Sequence, residues 1–362
     1  MTYIVGWKYK GNVYLTSDSA ITRYTETKNI TPSVVGEIPV STSALSINEE
    51  CYKLFQVEDD CIIAISGEVS PAIEFIKNIR LYSNKNNRES LLNTFCNSSR
   101  GKKFDAIIGL IVDNKPKLYI YRSDEIKYLE EKENYVCRGS GVPDLAVKTS
   151  NLIDSISSQK LYPTERLAFL VAGHQQFSIN EDVFKKGVGG IFNGVRISKD
   201  GVQWNEDISY IFYSKNTIID EELNEIKGDT FYVFAFNREL RLYVKSPFPL
   251  PYGIDKLIPN CEKDGLATNS QELVQWNEAY YMKIKNKIYE SKIQTKYLSL
   301  IYKSRKDKYK VSLIKLNSKT LKKLHIKYRG EGWFDLNTNE ETLKKLLLVD
   351  DNKDVDCVIL KD

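Results

Sequence analysis

Over residues 1–215 the apolar positions come in short runs broken by polar turns. Tyr3–Trp7 and Val13–Ser17 read as strands joined by a turn at Lys10-Gly11-Asn12. Residues 23–49 are polar, carry Pro32, Gly36 and Pro39, and read as a long loop. Leu54–Val57 and Cys61–Ser66 flank Glu58-Asp59-Asp60 as a second hairpin. A helix follows, with Ser70 as its cap, Pro71 in its first turn and Ile73, Ile76 and Ile79 at helical spacing. Leu91, Leu92 and Phe95 predict another helix. Ala106–Val112 and Lys117–Arg122 pair across Asn114-Lys115, and further strands fall near Glu125–Leu129 and Tyr135–Cys137. Helices fit Pro143–Ile156 and Thr164–His174, and strands return around Gly190–Ile197 and Val202–Trp204. The order strands, helices, strands, helices, strands suits two sheets with helices on their outer faces, because each apolar face then has a partner. The predicted class is α+β, a four-layer α-β-β-α sandwich over residues 1–215.

Residues 216–362 read as an additional α+β unit. Thr230–Phe236 and Leu240–Lys245 resemble a hairpin, and Val274, Tyr281, Ile284 and Ile288 place helical spacing in Gln271–Lys303. Tyr309, Val311 and Leu313 alternate as in a strand, and Thr338-x-x-Glu341 forms a capping box before Leu343–Leu348.

Charge sharpens this division. Residues 283–330 hold 16 Lys or Arg against Glu290 and Asp307, a local +14, so the rest of the 362-residue chain carries −10 within a net +4. Within the basic segment Tyr289, Tyr297, Tyr302 and Tyr309 interleave with Lys292, Lys296, Lys303 and Lys308, a pattern open to base stacking with phosphate contact or to a solvated, Lys-rich helix face. No apolar run reaches the ~18 residues of a membrane helix, and the N-terminal residues lack a basic-then-apolar leader, so a cytoplasmic, non-membrane protein is expected. The six cysteines are scattered without a C-x-x-C, which fits reduced thiols better than a disulfide or zinc framework. Only His174 and His325 are present, so chemistry built on several histidines is nearly excluded.

Thr2 follows the initiator methionine. Removal of Met1 would give one residue a hydroxyl nucleophile and an α-amine base, the amine having a reference pKa of ~7.7–8.0. Asp18 follows in Asp18-Ser19-Ala20-Ile21-Thr22, sixteen residues on; Lys53 stands before the third strand, Gly67 fourteen residues after it, and Ser140 within Gly139-Ser140-Gly141. In order and spacing this resembles the proteasome β-subunit family, including bacterial proteasome-like peptidases, within the N-terminal nucleophile hydrolases. The resemblance covers residues 2–205.

It implies Thr2 as nucleophile, Lys53 beside it, and Asp18 paired with Lys53 to keep that buried cation charged and oriented. It implies the Gly67 amide as oxyanion donor and Ser140 as a hydrogen-bond partner near the Thr2 amine. Thr22 and Ile65 match positions that contact peptide in the family, with Ile65 and Val69 making an apolar side-chain pocket; core packing explains the last two as well. The family's D-x-x-S-G-G appears as Lys185-Lys186-Gly187-Val188-Gly189-Gly190, which keeps the glycines and replaces the Asp and Ser, with Asp182 three residues upstream. The 23–49 loop is longer than the family's usual connection.

The leading expectation is a threonine peptidase that needs no metal or organic cofactor and forms a homo-oligomer around a shielded chamber. An ATP-driven unfoldase is a possible partner, although the chain holds no G-x-x-x-x-G-K-[ST] of its own. The alternatives are an amidase of the same fold acting on a non-peptide amide, a catalytically inactive scaffold or binding subunit, and a nucleic-acid role for residues 283–330.

Overall fold

The computed structural model describes residues 2–24, 31–33, 36–38, 45–48, 51–84, 86–125, 129–180, 183, 187–206, 208–213, 218–219, 226–227, 230–236, 241–245, 297–303, 309–315, 324–330, 333–338 and 357–360. Two compact units emerge: Met1–Tyr24 with Ile47–Ile153 and Gln159–Asn205, and Thr25–Ser46 with Asp154–Ser158 and Glu206–Asp362.

The first unit is α+β. One antiparallel five-stranded sheet has the order β12-β1-β2-β13-β14, built from β1 (Ile4–Tyr9), β2 (Asn12–Ser17), β12 (Tyr135–Arg138), β13 (Asn193–Ser198) and β14 (Gly201–Trp204). The other has the order β11-β10-β9-β8-β7, from β7 (Leu54–Glu58), β8 (Cys61–Gly67), β9 (Phe104–Val112), β10 (Lys115–Arg122) and β11 (Leu129–Glu131). Four helices accompany them: α1 (Val69–Tyr82), α2 (Arg88–Ser98), α3 (Val142–Ser158) and α4 (Pro163–Asn180).

The period-two pattern divides β7, β8, β9 and β10 between two apolar clusters. Ile4, Val13, Leu15, Leu54, Ile62 and Ile107 join residues of both sheets in one core. Ile63, Ile65, Ala106 and Ile108 point the other way and meet Ala72, Phe75 and Ile76 of α1 and Leu92 of α2. Gly6 marks the close approach of the sheets, since a Cβ there would meet Ile107 at 2.5 Å and Leu118 at 2.8 Å. Gly194 does the same beneath α4, where a Cβ would meet Val171 at 2.5 Å.

Three expectations are corrected. Residues 23–49 are not simply a loop: β3 (Ile21–Tyr24) pairs with β6 (Leu45–Asn48), and β4 (Thr31–Ser33) pairs with β5 (Gly36–Ile38). These are two-stranded pairs, where Pro32 costs no central ladder bond. Helix α1 is capped at Glu68 rather than Ser70, because the chain turns helical as soon as the Glu68 N–H has been used on the Lys103 carbonyl at 3.0 Å; Pro71 keeps its place in the first turn. Tyr297–Lys303, at the end of the expected helical segment, is a strand parallel to β15 (Ile208–Tyr213). Its alternation of Tyr, Leu, Ser and Ile suits a pleated surface.

The second unit holds a six-stranded sheet of order β19-β18-β15-β20-β21-β24. Beside β15 it contains β18 (Thr230–Phe236), β19 (Arg241–Lys245), β20 (Tyr297–Lys303), β21 (Tyr309–Lys315) and β24 (Cys357–Leu360). The pairs β16 (Ile218–Ile219) with β17 (Ile226–Lys227), and β22 (Leu324–Gly330) with β23 (Trp333–Thr338), stand as separate ladders. Residues 271–296, Glu341 and Leu343–Leu348 lie outside the described residues. No helix among the described residues is long and apolar enough to cross a membrane.

Candidate active site

The site is assembled where β1 begins and β2 ends. Ile4 pairs with Ser17, so Tyr3 and Asp18 face each other one step beyond the ladder. There the Asp18 N–H donates to the Tyr3 carbonyl at 3.2 Å, and the Asp18 side chain takes over as acceptor, receiving the Tyr3 N–H on Oδ1 at 2.8 Å. A carboxylate in this position closes the strand end and leaves its charge buried beside Thr2.

Two further donors meet that charge. Lys53 Nζ donates to Asp18 Oδ1 at 2.8 Å and also to the Ala20 carbonyl. The Gly189 N–H donates to Oδ2 at 3.1 Å. Both charged side chains are buried, so the pair holds because each has hydrogen bonds beyond its partner. The glycine segment is tied to the same turn: the Gly189 carbonyl accepts from the N–H groups of Ser19 and Ala20, and Ser19 Oγ accepts the Ile191 N–H at 2.9 Å.

Ser140 arrives from the end of β12. Its Oγ accepts the Thr2 N–H at 3.1 Å, while the Gly141 N–H donates to the Thr2 carbonyl at 3.3 Å. Gly139 has φ +102°, and a Cβ there would overlap the Thr2 carbonyl oxygen. Only glycine permits both the backbone turn and the approach.

Gly67 ends β8 on the Lys53 side of the second sheet, since the Ile65 N–H donates to the Lys53 carbonyl at 2.9 Å. Its φ is +98°, and a Cβ would strike the Lys103 carbonyl at 2.6 Å. Thus Thr2, Asp18, Lys53 and Ser140 are joined by hydrogen bonds through Tyr3 and the backbone, and Gly67 sits on the strand paired with Lys53.

The side-chain pocket residues are placed differently from one another. Ile65 is buried in the cluster against α1, whereas Val69, the first residue of α1, is 37% exposed. Thr22 lies within β3, and its side chain is outside the described residues, as are Asp182 and Lys185. Val188 is fully buried. In the basic segment Tyr297 is buried, so it is not a stacking surface as its spacing suggested; Tyr289 is outside the described residues.

Sequence reasoning missed a buried polar chain behind the site. Tyr3 Oη meets Cys137 Sγ at 3.4 Å and Thr149 Oγ1 at 2.7 Å. His174 Nε2 meets Thr149 Oγ1 at 3.1 Å, and Nδ1 meets Thr16 Oγ1 at 2.9 Å. No spacing rule connects positions 3, 16, 137, 149 and 174; the rarity of histidine was the one available signal.

Complete burial among Tyr3, Phe177 and Phe192 lowers the His174 pKa from 6.5 to about 3. The ring stays neutral in the fold while an unfolded chain takes up a proton below pH 6.5. Stability therefore falls as pH drops from 6.5 toward 3, by up to ~1.4 kcal/mol per unit, and gains nothing from this group above 6.5. Denaturant melts are expected to show about 2 kcal/mol of this loss between pH 7 and pH 5, absent from the pH dependence of His174→Gln.

Cys61, Cys96 and Cys137 are buried free thiols, and among the described residues no three His, Cys, Asp or Glu side chains gather as a metal-binding group. No family model matches the chain, and no curated protein matches it.

Proposed function

We propose that the first unit is a four-layer α-β-β-α sandwich of the N-terminal nucleophile hydrolase type, similar to proteasome β-subunits, and that the protein is a threonine peptidase. The reading rests on one observation above all: a buried Asp18 that simultaneously binds Lys53, the backbone N–H of Tyr3 and that of Gly189, with Thr2 adjoining it and held by Ser140.

In this mechanism Met1 is removed and the Thr2 amine is free. The amine takes the proton from Thr2 Oγ1 as that oxygen attacks the substrate carbonyl. The Gly67 N–H receives the oxyanion, and the amine returns the proton to the leaving nitrogen, so the C–N bond breaks and a Thr2 ester remains. Water then hydrolyses the ester. Lys53 holds positive charge against the nucleophile, and Asp18 holds Lys53. Peptide or protein is the substrate, and a homo-oligomeric ring with a separate ATP-driven unfoldase fits a shielded chamber.

Intact-mass measurement with an epoxyketone peptide probe tests this. The expected result is a chain lacking Met1 that gains the mass of one probe on Thr2. A chain that keeps Met1 and remains unlabelled would replace the peptidase with a second reading, a proteasome-like scaffold. That reading has its own support in Val188, a buried valine where the family pattern carries serine. Labelling together with turnover of small amides and of no peptide would select the amidase.

A further inference from the structure

We propose that the buried chain Thr16–His174–Thr149–Tyr3–Cys137 is a positioning device for Thr2, in which His174 acts through Tyr3 and never touches substrate. The inference rests on Thr2 being the nucleophile.

The direction of the chain follows from counting hydrogens. Tyr3 Oη donates its single proton to Cys137 Sγ, so at the 2.7 Å contact Thr149 is the donor and Tyr3 the acceptor. Thr149 Oγ1, having spent its proton, accepts from His174 Nε2 at 3.1 Å. Nδ1 is then the unprotonated nitrogen and accepts from the Thr16 hydroxyl at 2.9 Å. Each internal member donates once and accepts once, and the imidazole is held as the neutral Nε2–H tautomer. Burial, which lowers the His174 pKa, keeps it in that state.

The chain connects four elements to one ring. Thr16 lies on β2, Thr149 on α3, His174 on α4 and Cys137 on β12. Tyr3 is thereby fixed at its hydroxyl, while its backbone N–H and carbonyl are both held by Asp18. Gly141 leaves room for the ring, since a Cβ there would lie 3.0 Å from Tyr3 Cδ2. With both ends of Tyr3 clamped, the preceding Cα, that of Thr2, has one placement relative to Ser140 and Lys53. Loss of the tether frees the ring to tilt, and displacements of about 1 Å in a reacting group cost about 100-fold.

Tyr3→Phe removes only the hydroxyl. Labelling by the epoxyketone probe is expected to fall at least about tenfold in its saturating rate, with the half-saturating probe concentration unchanged within about twofold. Ile79→Val, a core trim under α1, serves as the stability control and is expected to keep the wild-type labelling rate. Spectra of 15N-histidine protein give a readout that folding alone does not move. Wild-type His174 is expected as pure Nε2–H tautomer, unchanged between pH 5 and 8. In Tyr3→Phe the Thr149 hydroxyl loses its acceptor and turns to Nε2, so the Nδ1–H tautomer appears. A Tyr3→Phe protein that labels at the wild-type saturating rate, or keeps a pure Nε2–H ring, would overturn the device while leaving Thr2 as nucleophile. A wild-type protein that is never labelled would overturn both.

Discussion

Thr2→Ala is expected to abolish probe labelling and peptide hydrolysis, with rates falling at least about 10³-fold, as when a member of a coupled catalytic set is deleted. The fold should survive. Thr2 precedes β1 rather than lying in it, and alanine retains the backbone N–H bonded to Ser140 and the carbonyl bonded to Gly141. Thermal melts should therefore shift little. Thr2→Ser is the informative companion. It keeps the hydroxyl and the amine and loses the methyl that restricts χ1, so the reactive rotamer is populated less, by about threefold. Serine activity between wild type and alanine, with unchanged melts, is the pattern of a nucleophile. Labelling that persists in Thr2→Ala would place the reactive group elsewhere and sink the mechanism.

Asp18→Ala is expected to damage stability and activity together. Its removal leaves the Lys53 ammonium buried beside a single carbonyl partner and strips the acceptor from the N–H groups of Tyr3 and Gly189. Breaking a buried pair from one side costs about 3–5 kcal/mol. For a unit of this size that is a fall of roughly 10 °C in Tm. Lys53→Ala exposes the complementary fault, a buried carboxylate with two backbone donors and no cation. The double variant Asp18→Asn with Lys53→Met separates the two roles. It removes both charges and keeps the volume, so much of the stability should return, because a buried ion pair often breaks even against an uncharged substitute. Under the proposed mechanism hydrolysis should not return, since that mechanism needs the Lys53 charge. If the double variant were as unstable as Asp18→Ala, the ion pair would not be the source of the loss. If it hydrolysed peptide, Lys53 would have no part in the chemistry.

The Asp18–Lys53 pair was expected through the resemblance to the proteasome β-subunit family, which two spacings carried, Thr2 to Asp18 and Lys53 to Gly67. Those spacings carry information because each segment leads directly out of or into a strand, and strand rise and pairing convert residue number into position. Asp18 is one residue beyond β2, and Lys53 one residue before β7. Ser140 was expected through the same resemblance, and the structure places it two residues past β12 between two glycines that the backbone crowds. The third ligand of Asp18, the Gly189 N–H, was not expected. Its approach depends on a loop that returns from α4, and loop paths are not written in periodicity.

Within the first unit, local pattern predicted the four helices and most of the strands, because alternation and helical spacing are properties of neighbouring residues. The candidates for chemistry came from the family resemblance, which rests on residue type, order and spacing together. Local pattern failed where a different partner could satisfy the same residues. Tyr297–Lys303 could serve a helix or a pleated surface, and pairing with β15 and β21 decided it. Pro32 and Gly36 signalled a break in structure, yet a two-stranded pair with no central ladder to interrupt accommodates both. The hydrogen-bond chain from Thr16 to Cys137 belongs wholly to tertiary structure. Its members come from β1, β2, β12, α3 and α4 or their ends, and a hydroxyl or imidazole acquires a direction for its proton only when its neighbours on both sides are in place.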